Sequence, residues 1–193
     1  MSARDEILAR VRAATASATA PAYAAPAREP TAGSVDLFVA RVEDYRAVVE
    51  RCPAADLESR VAAAVEGCSV VVPDGLGVQV QGAVVDDAMS SLDLDAIDAV
   101  VTESTVAVAE TGTIVLDHQQ GQGRRAITLV PDRHVCIVRA DQVVPDVQDA
   151  VALLHPERPH TWISGPSATS DIELNRVEGV HGPRNLHVIV VED

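Results

Sequence analysis

The chain has 193 residues and a mass of 20.3 kDa, enough for one domain with a real core, and its 29 acids and 15 bases leave a formal charge of −14. Every base is arginine, so Schiff-base chemistry and a Walker-type phosphate lysine are excluded, and the lack of clustered cations excludes a nucleic-acid backbone as partner. Aromatic residues make up only 2%, so the core must be built from small aliphatic side chains, and no platform for stacking bases is available.

Ser2 to Ala14 reads as a short amphipathic helix with Ile7, Leu8 and Val11 on one face. Its early acids and missing apolar h-region do not suit a signal peptide, and no apolar run in the chain reaches the ~20 residues of a membrane span. A cytoplasmic protein is expected. An Ala/Pro-rich stretch follows, with Pro21, Pro26 and Pro30 and no periodicity. Residues 1–34 therefore read as a helix and linker, either an arm that docks on a partner or a frayed terminus. Residues 35–193 read as a single domain.

From Val35 onward helices and strands alternate. Val35 to Asp44 is helical, Ala47 to Val49 a strand, and Ala54 to Glu66 a helix with Leu57, Val61, Ala64 and Val65 at helical spacing. Cys68 to Pro73, a valine run ended by PDGLG, suits a strand covered on both faces. Further strands are expected at Ala99–Thr102, around Val106 and Val108, and at Thr113–Asp117, with a polar loop HQQGQGRR after them. His134–Arg139 is a strand, Asp146–Leu154 a helix with Val147, Val151 and Leu154 inward, and Thr161–Ser164 and Leu186–Val191 are strands. This order gives an α/β protein with a mainly parallel sheet flanked by helices.

Ligands of such sheets bind in loops beyond the carboxyl ends of strands. Four loops are candidates: residues 73–77, 102–104, 165–171 and 180–184. In the third, Gly165 and Pro166 turn the chain before Ser167, Thr169, Ser170 and Asp171, and Ser170 with Glu173 has the spacing of a capping box. A helix start beside hydroxyls holds anions, although a plain cap has the same signature. In the fourth, His181, Gly182 and Arg184 share one turn: Arg184 can grip a carboxylate and His181 can transfer a proton, or the turn is simply tight with a surface arginine. Glu110 stands in an otherwise apolar stretch, as a general base or nucleophile or as a paired structural acid, with the Thr111 hydroxyl and Gly112 N–H beside it.

Gly121, Gly123 and Ala126 imitate a dinucleotide fingerprint, but Pro131 leaves too little room for the crossover helix. Cys52, Cys68 and Cys136 are odd in number and form no CxxC, and the histidines share no ligand spacing, so no metal and no iron–sulfur cluster is expected on this chain. Charge is uneven: residues 67–123 hold 9 acids and no base.

AETGTIVL at 109–116, GPSATSDIE at 165–173 and GVHGPR at 179–184, followed by LHVIVVED, together resemble the lactate-utilisation protein C family, the LUD-domain proteins. The resemblance implies a fold similar to the sugar-isomerase and CoA-transferase type. It implies a place in an L-lactate oxidation system that makes pyruvate, with iron–sulfur clusters on partner subunits. Its motif residues fall on Glu110, Thr111 and Gly112, on Ser167, Thr169, Asp171 and Glu173, and on His181, Gly182 and Arg184. Glu110 and His181 are the catalytic candidates; Thr111, Gly112, Ser167, Thr169, Ser170, Asp171, Glu173, Gly182 and Arg184 are the candidates for binding a small carboxylate. Two other readings stay open: a stand-alone enzyme like the CoA transferases or folate cyclo-ligases, and a non-catalytic binding module. All three need the turns near 110, 167–173 and 181–184 to converge on one cleft.

Overall fold

The structure is a computed structural model that describes residues 2–19, 31–169, 177–179 and 181–192. Helix α1 (Ala3–Thr15) opens on a capping box in which Ser2 and Asp5 satisfy each other's backbone N–H, and it buries none of its residues. Residues 31–33 are fastened to the body of the protein: the Thr31 N–H and hydroxyl both donate to the buried carboxylate of Asp149, and the Gly33 N–H donates to the Val143 carbonyl. Helix α2 (Val35–Asp44) begins where Ser34 accepts the Leu37 N–H, and it turns Phe38 and Val42, four residues apart, into the core.

The strands are β1 (Val48–Pro53), β2 (Val70–Val72), β3 (Val84–Val85), β4 (Ala99–Glu103), β5 (Val106–Val108), β6 (Thr113–Leu116), β7 (Arg133–Arg139), β8 (Val143–Val144), β9 (Thr161–Ile163), β10 (Ala168–Thr169), β11 (Val177–Glu178) and β12 (Asn185–Glu192). Six of them form one sheet in the order β1-β12-β7-β4-β2-β3, parallel at every pairing. A second sheet, β8-β5-β6-β9, pairs β6 antiparallel with both β5 and β9. Among the described residues β10 and β11 form a separate antiparallel pair. The expected α/β architecture is present, and the small mixed sheet is an added layer that the alternation of helices and strands does not announce.

Side chains alternate across the parallel sheet with the period of two that strands impose. Val135, Ile137, Ile189 and Val191 face helix α3 (Leu57–Ala64), which contributes Leu57, Val61 and Ala64. Cys136, Val138, Val188 and Val190 face Phe38 and Val42 of α2 together with Ala107, Ile114 and Leu116 of the small sheet. That sheet's outer face, Val106, Val108 and Val115, packs on Ala150 of α5 (Val147–Leu153) and on Leu154. The helix expected over Ala54–Glu66 begins as a 3-10 turn at Ala54–Asp56. In α5 the expected inward set is corrected: Leu154 is buried, but Val147 and Val151 are exposed, and Asp149 and Ala150 take the inner positions. Asp149 can go inward because Thr31 supplies donors to it. Short α4 (Ser91–Asp95), not anticipated, buries Leu94 against Val71 and Val100. No helix among the described residues is long and apolar enough to cross a membrane.

Two close-packed features sit inside this fold. The turn between β5 and β6 lies on α2 so closely that a Cβ on Gly112 would stand 2.8 Å from the Arg41 Cβ and 2.9 Å from the Val42 nitrogen, and the residue has φ +60. Gly112→Ala is expected to cost about 3 kcal/mol in urea unfolding, because both the conformation and the contact with the α2 backbone oppose a side chain. Between β4 and β7, the buried His134 ring holds the Thr102 hydroxyl through Nε2 at 2.8 Å. Burial pushes the His134 imidazole from 6.5 down to about 4. The unfolded chain therefore takes up a proton that the folded chain refuses. Stability should be complete above pH 6.5 and decline between pH 6.5 and about 4, by about 3 kcal/mol in all. His134→Gln should remove that part of the pH profile of urea unfolding.

Candidate functional site

Two of the three motif segments come together. The Ser167 N–H donates to the Pro183 carbonyl at 2.8 Å, the Gly179 N–H donates to the Ser167 carbonyl at 3.0 Å, and the His181 N–H donates to the Ser167 hydroxyl at 3.1 Å. These bonds join the loop that leaves β9 to the loop that enters β12. Beneath the junction lies a cavity of about 260 Å3, bordered by Ser164, Ser167, His181, Gly182, Thr161 and Arg125 and floored by His134 and Leu186. It adjoins a wider cleft of about 740 Å3 that shares Arg125, Leu129, His181 and Gly182 with it and extends to Arg184 and Asp132.

The location differs from expectation. Residues 73–77 follow the carboxyl end of β2, and 102–104 are the last two residues of β4 and the one after them. The 165–167 and 181–184 segments meet at the opposite, amino edge, because 181–184 feeds the start of β12. His134 and Leu186, which floor the cavity, are register partners near the amino ends of β7 and β12.

Each candidate has a definite place. Ser167, His181 and Gly182 border the cavity, and Arg184 borders the wider cleft. The Arg184 guanidinium pairs with Asp132 through Nε, so a ligand carboxylate would have to share it. Glu110 is exposed and stands outside the lining of both spaces; its N–H donates to the Pro145 carbonyl. Gly112 packs on α2 as described above. Thr111 reaches the site only indirectly: its hydroxyl is 2.8 Å from that of Thr113, which is 2.8 Å from that of Ser164 at the cavity wall. Thr169 belongs to β10. Ser170, Asp171 and Glu173, and with them the expected capping box, lie outside the described residues.

Arg125 is the principal residue that the motifs miss. It opens a 3-10 turn (Arg125–Thr128) and borders both the cavity and the wider cleft. Its neighbour Arg124 is spent on Asp86, which it grips with two nitrogens, holding that carboxyl below its ordinary range. Arg125 instead donates to the Thr161 hydroxyl at 3.1 Å and has no ion pair among the described residues. Thr161 Oγ1 is in turn 2.9 Å from His118 Nε2, and His118 Nδ1 is 2.7 Å from the Gly123 carbonyl. A carbonyl only accepts, so Nδ1 carries a proton; with one proton on the ring, Nε2 accepts from the Thr161 hydroxyl and the Thr161 oxygen is left to accept from Arg125. The chain of bonds fixes Arg125 in direction. The sequence held one signal for it: Arg124 and Arg125 are the first bases after a stretch, 67–123, that has none.

Among the described residues no group of three or more His, Cys, Asp or Glu side chains is disposed to hold a metal ion. Cys136 is buried against Thr102, and burial pushes its thiol up to about 12. A guanidinium fixed by Thr161, the Ser167 hydroxyl and the His181 imidazole border one space, a set of groups with the chemistry to meet a small anion.

Residues 85–191 match the LUD domain family. A Deinococcus radiodurans protein named lactate utilization protein C is 46% identical over 181 residues, covering 89% of this chain and 85% of that one. Proteins of the same name from Geobacillus sp. and, numbered 1, from Bacillus mycoides are 38% and 36% identical, over 48% and 51% of this chain but only 42% and 45% of theirs. The crystal structure of a DUF162 family protein from Deinococcus radiodurans superposes with a TM-score of 0.69 at 39% identity, covering 81% of this chain and 95% of that one. With both halves of its cavity wall, 165–167 and 181–184, inside the matched region, the chain belongs to the LUD-domain family whose curated relatives are named for lactate utilisation.

Proposed function

We propose that this chain is a cytoplasmic subunit of an L-lactate oxidation system and binds a small carboxylate, lactate or its product pyruvate, in the amino-edge cavity. The observation that carries the reading is Arg125. It is a cation without an acid partner among the described residues, held against a cavity by Thr161 in a chain of strongly negative charge. Arg125 supplies a charge-assisted bond to the carboxylate. Ser167, whose oxygen accepts from the His181 N–H, has its hydroxyl proton left to donate to the carboxylate. The His181 side chain, bordering the same space, is the group placed to take or return a proton at the lactate hydroxyl. Oxidation of lactate to pyruvate breaks the O–H and C2–H bonds and releases two protons and two electrons; in this reading the hydroxyl proton passes to His181, the C2 hydrogen leaves as a proton to solvent, the iron–sulfur partner subunits accept the two electrons, and the chain holds the substrate without itself being reduced.

The test has two arms. A strain deleted for the gene should fail to grow on L-lactate while growing on pyruvate, and Arg125→Gln should not restore growth although it folds. In calorimetry the purified chain should bind L-lactate or pyruvate, with Arg125→Gln weakening the affinity by roughly tenfold or more, the worth of one charge-assisted bond. Trp162, the chain's single tryptophan, borders the cavity and gives a fluorescence readout. Unimpaired growth on lactate in the deletion strain would count decisively against the reading.

A further inference from the structure

A third space opens at the amino edge, a cleft of about 160 Å3 between the starts of β1 and β12, lined by Arg46, Val48, Arg133, Arg184, Asn185 and His187. Its arginines are not equivalent. Arg184 pairs with Asp132, and His187 lies 3.0 Å from the Glu50 carboxylate. Arg133 donates through one terminal nitrogen to the Ala64 carbonyl at the end of α3 and makes no ion pair among the described residues. Arg46 makes neither a side-chain hydrogen bond nor an ion pair among them. Two cations without acid partners thus line one small cleft in a protein with nearly two acids for every base.

Arg46 is also held in an unusual way. It follows Tyr45, the C-cap of α2, and its N–H closes the helix on the Glu43 carbonyl at 2.8 Å. Its φ is +65. Helices that end this way favour glycine at this position, since a Cβ there is strained. The chain carries an arginine instead, and the side chain so placed lines the cleft. Strain of this kind is kept where the side chain has work to do.

We propose that this cleft is a binding site for a phosphoryl dianion. Two guanidinium groups without ion-pair partners among the described residues match a doubly charged tetrahedral oxyanion in charge and in their forked N–H donors. The site is separate from the carboxylate cavity of Arg125 and stands whether or not that cavity takes lactate. A free phosphate ion and the phosphoryl end of a metabolite present the same chemistry.

Calorimetry on the full chain with inorganic phosphate and with glycerol 3-phosphate distinguishes the two sources. Phosphate should bind at one site with an affinity that falls as salt is raised. Arg46→Gln and Arg46→Gly should each weaken it at least tenfold. Tighter binding of glycerol 3-phosphate assigns the site to a metabolite, and equal binding assigns it to the free ion. Arg46→Gly should have a Tm no lower than the parent, because glycine relieves the strained backbone, so lost binding cannot be laid to lost folding. Binding of lactate or pyruvate, where present, should be unchanged in both variants. Absence of binding for both phosphates, or parental phosphate affinity in Arg46→Gly, overturns the proposal.

Discussion

Burial of both faces of a parallel sheet, by side chains that are nearly all small, is the constraint on which the molecule rests. Parallel strands need covering on each side, and this chain has one phenylalanine and one tryptophan to do it with. Valine and alanine layers fill the space only if backbones come close. That is why α2 sits directly on the β5–β6 turn, with Gly112 at the contact, and why a second sheet, rather than another helix, covers β7 and β12. A sheet is thinner than a helix with bulky side chains, and it brings β9 and its following loop over the amino ends of β7 and β12. The cavity is the gap left there.

The two edges of the parallel sheet differ in charge. At the carboxyl edge the acids are mostly matched by the chain's own residues. Glu103, at the end of β4, lies between Gly77 and Gly121, and a side chain on either glycine would collide with its carboxylate oxygens. Nearby, Asp86 has its arginine, and the buried Asp117 is held by Thr105 and Arg158. The amino edge gathers Arg46, Arg125, Arg133 and Arg184 around three neighbouring spaces, where Asp132 answers Arg184 and Glu50 answers His187 and Arg60. A usual rule places ligands at the carboxyl ends, but it concerns loops that leave strands. Here the described cationic side chains enter from the starts of strands, Arg133 opening β7 and Arg184 just before β12, and from the turns at 46 and 125.

Much of the fold was legible because its strands are short valine runs with turn residues at their ends, and because α2 and α3 repeat their apolar residues at intervals of three and four. The α5 error has a physical cause: Val147, Val151 and Leu154 satisfy helical spacing, but a buried Asp149 with Thr31 as donor outweighs hydropathy, and Thr31 lies 118 residues away in sequence. The motif pair 165–167 and 181–184 was readable, since glycine, proline, histidine and arginine in short turns mark backbone that approaches something. Glu110 stands in an apolar stretch of sequence, yet a turn between two strands exposes its outermost residue however apolar the flanks are.

Arg125 and Arg46 eluded motif reading for a common reason. An arginine is informative only in relation to the acids that neutralise it, and those partners are set by tertiary packing. Arg124 and Arg125 are adjacent in sequence and identical in type, but one points at Asp86 and is consumed, while the other points at Thr161 and is not. In a chain with an excess of acids, an unpaired arginine requires geometry that keeps carboxylates away from it. The Thr161–His118–Gly123 relay does this for Arg125 by committing it to a hydroxyl, and the left-handed turn at the end of α2 does it for Arg46 by swinging its side chain toward the cleft and off the helix surface where Glu43 and Asp44 lie. Both devices hold positive charge in readiness for an anion that the chain itself does not supply.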